Sequence, residues 1–329
     1  MRDGKIQICL AGCGSFGKRL AGLINGYDLA EIKYVYHPDP NRAKEYRDGC
    51  SDIEVIMNDP ELDAFAIATP NDQHYQLLDK VMREARHHVF VEKPMTATAA
   101  EASLLVRWTG PMEANKKVLM IGHNQRREPV FRKAKEILAS GAIGQVVNVN
   151  FNFSHGAAFN LKPTDWRYSA DRHREGPLIT LGTHCFDTLN YLFGRPERVM
   201  ANILNLSKKT EAPDSAFVMM QLKNGGIVFL QTNYNVPSEK YCTISGTEGV
   251  IYINRNKISL RSGRDVNKIP SKPQEIPIED MDTVADELRD FFDAILTGDT
   301  NVETGYLEGF NTMALLERCA KSEASMQYE

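Results

Sequence analysis

A short apolar run, Ile6–Ala11, passes directly into Gly12-Cys13-Gly14-Ser15-Phe16-Gly17, after which Phe16, Leu20, Leu23 and Ile24 recur at helical spacing. A strand that turns through three glycines into a helix narrows the possible folds more than any other stretch of this chain. In that setting the first glycine permits a tight turn and the second lets the backbone approach a pyrophosphate. The third lets helix and strand pack closely, and the free N–H groups at the helix start attract phosphate charge. Gly12, Gly14, Ser15, Phe16 and Gly17 are therefore candidate dinucleotide-binding residues. A glycine-rich turn in some other α/β protein is the alternative.

Residues 32–36 read as a second strand. An acid at its end would bind the adenosine ribose 2′-hydroxyl and repel a 2′-phosphate. His37 stands there instead, followed by Pro38 and Asp39. Asp39 is a candidate for the ribose contact or a simple turn residue, and His37 with Arg42 would tolerate the extra phosphate. The choice between NAD and NADP stays open. Residues 63–68 form a further strand, closed by Thr69-Pro70-Asn71 at the same sheet edge. Leu78, Val81, Met82 and Ala85 then follow at helical spacing, with Asn71 or Asp72 as N-cap. His74, in that first turn, is read as a helix-start side chain near the cofactor.

Val89, Phe90 and Val91 look like a buried parallel strand that ends in Glu92-Lys93-Pro94. Ligands of open α/β sheets bind outside the carboxyl ends of the strands, so Lys93 is a candidate site residue. The proline restricts Lys93 to extended backbone and opens the route to a cis peptide. Thr96 is positioned to cap a helix carrying Leu104, Leu105 and Trp108, and residues 118–122 make one more strand. Strands alternating with helices predict a doubly wound parallel sheet over residues 1–121.

From residue 122 the pattern changes. Val130, Phe131, Ala134, Ile137 and Leu138 form one helical stripe, ending near Ser140-Gly141. Runs at 146–153, 199–206, 216–222, 227–234, 241–245 and 250–253 read as strands, with Asn224-Gly225-Gly226 as a hairpin signal. Two helices finish the chain, on Val284, Leu288, Phe291, Phe292 and Ile295, and on Leu307, Phe310 and Met313. Residues 122–329 are thus expected to form an α+β domain with a largely antiparallel open sheet. Its suggestive piece is a polar loop with Trp166 and Arg167 that leads into Gly182-Thr183-His184-Cys185-Phe186-Asp187. In a helix beginning near Gly182, Phe186, Leu189 and Phe193 face the core, while His184 and Asp187, three apart, share another face.

Composition bounds the rest. At 329 residues the chain is long enough for two cores, and 42% hydrophobic with 25% charged residues is the balance of a globular protein. A net charge of −4 argues against bulk electrostatic binding of nucleic acid. The start Met-Arg-Asp-Gly-Lys shows no signal-peptide pattern, and no apolar run has membrane-spanning length, so a cytoplasmic protein without membrane partners is expected. Six scattered cysteines lack any C-x-x-C pair, which indicates neither a disulfide framework nor a metal site.

Taken in order, Gly12-x-Gly14-x-x-Gly17, Thr69-Pro70-Asn71, Glu92-Lys93-Pro94, Gly122-His123-Asn124-Gln125-Arg126, Trp166-Arg167, Gly182-x-His184-x-x-Asp187 and Gly246-Thr247-Glu248-Gly249 resemble the glucose-fructose oxidoreductase and inositol dehydrogenase family, often called Gfo/Idh/MocA. The resemblance implies a Rossmann domain followed by an α/β domain whose open sheet serves oligomer contacts, giving a dimer or tetramer. It implies NAD or NADP held by Gly12, Gly14, Ser15, Phe16, Gly17, His37, Asp39, Thr69, Pro70, Asn71, His74, Glu92 and Lys93, with the nicotinamide near Lys93. It also implies a sugar, cyclitol or nucleotide-sugar substrate near His184. The family's acid four residues before this histidine is here Thr180, so an Asp-His dyad does not carry over.

Hydride transfer from a carbinol needs an acceptor for the hydroxyl proton, best one titrating near the working pH. Histidine starts at about 6.5 and lysine at about 10.4, a gap from neutrality that amounts to roughly 4 kcal/mol for lysine. The expectation is that His184 is the acid/base and that Lys93, oriented by Glu92, stabilises charge on the substrate oxygen. The reverse assignment, with Lys93 as base, is the alternative. Arg126, Trp166, Arg167 and Asp187 are further candidate substrate contacts, Arg126 for an anionic group, Trp166 for a sugar face and Asp187 to accept sugar hydroxyls or brace His184, with an interdomain ion pair or a core aromatic as the alternative for each. Two other classes compete: a non-catalytic dinucleotide- or sugar-binding regulator, which the change to Thr180 favours, and an adenosyl-dependent methyltransferase, which leaves Lys93-Pro94 without a role.

Overall fold

A computed structural model describes residues 4–264 and 271–324. Met1 to Asp3, on which the reading of the chain start partly rests, lie outside the described residues. Contacts divide the chain into two units: residues up to His123 with Val284–Met313, and Asn124–Thr283 with the residues from Ala314 onward.

In the first unit six strands, β1 (Ile6–Ala11), β2 (Ala30–Tyr36), β3 (Gly49–Cys50), β4 (Ala64–Ile67), β5 (His88–Glu92) and β6 (Leu119–Gly122), form one sheet in the order β3-β2-β1-β4-β5-β6. Every pairing is parallel. This is the doubly wound Rossmann order. All residues of β1, β4 and β5 are buried, including the polar Gln7, His88 and Glu92, as strands covered on both faces require. The crossovers run through α1 (Ser15–Gly26), the short α2 (Pro40–Ala43) and α3 (Ile53–Met57), α4 (Asn71–Glu84) and α5 (Ala99–Ala114).

Three local expectations need correction. Helix α5 is capped by Thr98, whose hydroxyl accepts from Glu101 N–H while the Glu101 carboxylate accepts from Thr98 N–H; Thr96 instead donates to the Thr98 carbonyl. The reciprocal pair satisfies two orphan donors, which Thr96 alone would not. Asn71 is the first residue of α4 and not its cap; that place falls to Pro70, which offers no side-chain acceptor. Phe16, expected on the apolar stripe of α1, is 36% exposed while Leu20 and Ile24 are fully buried.

The partition at residue 121 also needs correction, because the stretch Val284–Met313 belongs to the first unit. Helix α6 (Pro129–Ala139) and α7 (Thr183–Phe193) remain in the second, but α8 (Thr283–Thr297) returns. Its stripe Val284, Leu288, Phe291 and Phe292 shares a core with Ile6, Leu10, Leu20, Phe90 and Met120. The Phe90 and Phe291 rings lie 5.8 Å apart, and Tyr27 meets Phe292 edge-on at 5.6 Å. Burying each such phenylalanine stabilises by about 1.5–3 kcal/mol, which decides where α8 settles. Helix α9 (Tyr306–Ala324) closes the chain with Met313 buried but Leu307, expected on the same stripe, 60% exposed.

The second unit holds β7 (Val146–Ser154), β8 (Arg198–Leu204), β9 (Ser215–Gln221), β10 (Ile227–Asn233), β11 (Glu239–Gly246), β12 (Gly249–Asn254), β13 (Lys257–Ser262) and β14 (Gln274–Ile276), ordered β14-β13-β12-β11-β7-β10-β9-β8. Only β7 and β10 pair in parallel; the other neighbours are antiparallel. Residues 222–226 turn β9 into β10, and Gly246 to Gly249 turn β11 into β12. Val149, Phe151, Val218, Leu230, Cys242, Ile244 and Ile251 point to the buried face. The alternate residues Met200, Phe217, Met219 and Phe229 are each at least 40% exposed on the other. Among the described residues no helix is long and apolar enough to cross a membrane.

Candidate functional site

The glycine loop is shaped by close approach. Gly12 has φ +102°, and a β-carbon there would lie 2.4 Å from the Ala68 carbonyl at the end of β4. One on Gly17 would lie 1.9 Å from Gly12 O, so helix, loop and strand exit are pressed together. Gly14 differs: among the described residues, none beyond its chain neighbours lies within 4 Å of its missing side chain. Helix α1 starts at Ser15 with no side-chain cap and no acidic residue in its first turn. Beside it, Thr69 Oγ1 and Asn71 Nδ2 are buried with no hydrogen-bond partner among the described residues. An uncapped helix start, open space above Gly14 and unsatisfied polar atoms at the β4 exit fit a dinucleotide.

At the outer edge His37 Nδ1 accepts from Asp39 N–H at 3.0 Å, and the Asp39 carboxylate accepts from Asn41 N–H at 2.9 Å, capping α2. Asp39 therefore has the turn role that competed with a ribose contact. The Cys13 thiol is hydrogen-bonded to Tyr46 and feels Arg42 and Lys18; burial nonetheless raises its pKa.

Lys93 follows β5 directly, half-buried, with a cis peptide to Pro94. His74 is 1% exposed, its Nδ1 2.7 Å from Pro94 O and its Nε2 2.9 Å from Thr69 O. The imidazole thus ties the β4 exit to the Lys93-Pro94 turn, a scaffold role, and burial lowers its pKa. Glu92 sits behind Lys93 at 9% exposure. Burial pushes its carboxyl up to about 8, against the opposing pull of Lys93 and Arg19.

In the second unit a π-helical turn, Leu178–Gly182, runs into α7, and His184 lies half-buried in the first turn of that helix. Its ring centroid is 6.1 Å from that of Phe153. Phe186 and Leu189 are buried as expected, whereas Asp187 turns inward. Arg126 Nε donates to Asp187 Oδ2 at 2.8 Å and Nη2 to Oδ1 at 2.6 Å, with the two side chains 7% and 1% exposed. Arg126 and Asp187 are thus paired with each other, the arrangement that stood as the ion-pair alternative to substrate contacts.

Trp166 is engaged too. His173 meets it edge-on at 5.3 Å and the Arg167 guanidinium lies 4.4 Å over its ring. His155, Tyr234 and His173 stack in a column, with centroid spacings of 4.9 and 5.9 Å. The Tyr234 hydroxyl is hydrogen-bonded to Thr180 and to Arg167, and burial raises its pKa despite them. Where an acid would precede His184 by four residues, this chain has a hydroxyl pair. Tyr234 and His173 carried no motif; only their aromatic character beside a polar loop could have flagged them.

Comparison with known proteins agrees with this geometry. Residues 6–123 match the family described as "Oxidoreductase family, NAD-binding Rossmann fold", and residues 131–252 match the "GFO/IDH/MocA C-terminal domain". Levoglucosan dehydrogenase of Pseudarthrobacter phenanthrenivorans is 26% identical over 345 residues, spanning 89% of this chain and 87% of that protein. A scyllo-inositol 2-dehydrogenase (NADP(+)) of Bacillus subtilis is 27% identical over 218 residues, 64% of this chain and 58% of that one. The fold superposes on levoglucosan dehydrogenase in complex with NADH with a TM-score of 0.85 at 22% identity, covering 98% and 97% of the two chains. The chain belongs to the GFO/IDH/MocA oxidoreductase family. Its first unit is an NAD-binding Rossmann domain, and the protein is an NAD(P)-dependent oxidoreductase.

Proposed function

We propose that this oxidoreductase interconverts a carbinol and a ketone on a sugar, cyclitol or nucleotide sugar. The observation that carries the reading is Lys93, set at the exit of β5 in a turn fastened by His74, in a chain that also places His184 on the first turn of α7. Relatives named for levoglucosan and for scyllo-inositol support a polyhydroxylated substrate.

Gly12, Gly14, Ser15, Phe16 and Gly17, with Thr69, Pro70 and Asn71, would hold NAD(P). When bound, that cofactor accepts or supplies the hydride. His184 takes the hydroxyl proton during oxidation and returns it during reduction. The Lys93 ammonium donates to the substrate oxygen and stabilises its developing negative charge. Glu92 orients Lys93 from behind. His37 at the end of β2 carries no fixed negative charge, so neither cofactor is repelled at the ribose. With Arg126 and Asp187 paired, they brace α7 instead of reaching for substrate.

The test is a panel of sugars, anhydrosugars, inositols and nucleotide sugars assayed with NAD and NADP for wild type, Lys93→Met and His184→Asn. Each variant should lose about 10²–10⁴-fold in turnover while still binding reduced cofactor. Parental turnover in both would remove the proposed roles.

The exposed apolar sheet face of the second unit is, in the same reading, where identical chains meet. Met200, Phe217, Met219 and Phe229 line a depression of about 450 Å³ with Asn150, Asn202, Gln231 and Tyr241 at its margin.

A further inference from the structure

Strands β1 and β2 run parallel to their carboxyl ends with Ala11 opposite Tyr36, so Gly12 and His37 leave the sheet side by side. His37, twenty residues beyond Gly17, holds the place from which an acid would accept the proton of an adenosine 2′-hydroxyl. Its hydrogen bonding decides what it offers instead. Nδ1 accepts from the Asp39 N–H at 3.0 Å, so the proton of the neutral ring sits on Nε2 and the outer nitrogen is a donor. The His37 N–H donates to the Cys50 carbonyl at 3.2 Å, which fixes the residue at the sheet edge.

The nearby acids are turned to their own backbone. Asp39 Oδ1 accepts from Asn41 N–H at 2.9 Å, and Asp52, beyond β3, accepts from the N–H groups of Glu54 and Val55. The nearby cation is not committed in this way. Arg42 on α2 is exposed and makes no ion pair among the described residues. Its charge acts on the Cys13 thiol in the glycine loop, as does that of Lys18 on α1, so it belongs to the rim of that loop. A 2′-hydroxyl needs an acceptor for its proton. A 2′-phosphate carries only acceptor oxygens and about −1.5 to −2 charge at neutral pH, which suits an imidazole N–H and, above all, the planar fork of a guanidinium.

We propose that this enzyme selects NADP over NAD, and that Arg42 with the Nε2–H of His37 is the specificity determinant, holding the 2′-phosphate at the end of β2. The inference rests on the reading above that the glycine loop holds NAD(P), and goes beyond it by choosing between the two cofactors. Asp39 is a positioning residue. Its N–H fixes which nitrogen of His37 carries the proton, and its carboxylate caps the short helix that carries Arg42.

The experiment titrates the full chain with NADPH and with NADH, followed by cofactor fluorescence without substrate. Wild type should bind NADPH about tenfold or more tightly than NADH, and added salt should weaken NADPH more than NADH, because only the phosphorylated ribose meets Arg42. Arg42→Ala should cut the preference by about tenfold, and Arg42→Lys should restore part of it, since an ammonium keeps the charge and loses the fork. His37→Asp should reverse the preference, because a carboxylate accepts from the ribose hydroxyl and repels the phosphate. Circular dichroism on each variant verifies the fold. Equal affinity of wild type for the two cofactors, or tighter binding of NADH, would overturn the selection of NADP while leaving the dinucleotide site standing, and that measurement needs no variant. An NADPH preference that persists undiminished in folded Arg42→Ala would overturn the role of Arg42. Binding of neither cofactor would overturn the inference together with the reading it rests on.

Discussion

Arg126 and Asp187 meet side-on through two parallel hydrogen bonds, buried, 61 residues apart in sequence. The pair joins the 3-10 turn Asn124–Arg127 to α7 and so holds the helix that carries His184. Substituting one partner takes a directly bonded countercharge away from the other inside the protein.

Asp187→Ala should accordingly cost about 3–5 kcal/mol in unfolding free energy, and Arg126→Ala a similar amount. Urea denaturation at neutral pH measures it. A cost near zero for both would mean that the charges find water and that the pair does not fasten α7.

Gly14 and Gly17 should respond differently to the same methyl group. Gly17→Ala must displace the Gly12 backbone and should lower thermal stability; Gly14→Ala meets no described residue beyond its chain neighbours within 4 Å and should fold normally. Yet Gly14→Ala should weaken NADH and NADPH binding tenfold or more, because its methyl group enters the space a pyrophosphate would use. Fluorescence titration with reduced cofactor, paired with thermal melts, separates the effects. Unchanged affinity in Gly14→Ala would place the phosphates elsewhere.

His173 is buried between Trp166 and Tyr234, and burial holds its pKa at about 4, far below that of a free imidazole. A folded-state pKa lowered in this way means that the unfolded chain binds the proton first. The neutral ring is therefore fully tolerated above about pH 6.5, and stability is lost as pH falls from there toward 4. The slope from this group approaches about 1.4 kcal/mol per pH unit inside that window. His173→Gln should flatten the dependence of unfolding free energy on pH between pH 6 and about pH 4.5. An identical slope in wild type and variant would show that the ring becomes hydrated when charged.

Phe229 projects from the middle of the exposed sheet face opposite Met219 on β9 and Asn150 on β7. In the homo-oligomer proposed above, an ammonium there, as Phe229→Lys, should give a smaller species than wild type by analytical ultracentrifugation, with the fold retained by circular dichroism. An unchanged sedimentation coefficient would overturn the proposal that identical chains meet through this face.

The Rossmann half was legible because its signals are local. A strand, three glycines and a helix adjoin in sequence, and β4 and the Val89–Val91 stretch of β5 are apolar because both faces are covered. The stripe on α8 was equally visible, but nothing in Phe291 or Phe292 says which sheet they will meet. That is why residues 284–313 were expected in the wrong unit. That Arg126 and Asp187 pair with each other was not legible, since a charge written alone in sequence gives no sign that its counterion lies 61 positions away. Tyr234 and Thr180 were invisible as a pair for the same reason. The short β13 and β14 carry too few apolar residues for alternation to reveal them.

The homecoming of α8 makes the nucleotide-binding half discontinuous in the gene. A fragment cut after His123 would expose the surfaces of Phe90, Met120 and Leu20 that Phe291 and Phe292 otherwise cover. Such a truncation should be an aggregation-prone polypeptide instead of a portable module. Engineers who wish to graft this half onto another protein would have to tether residues 284–313 back onto it, and evolution, facing the same geometry, could exchange the intervening stretch only as an insert.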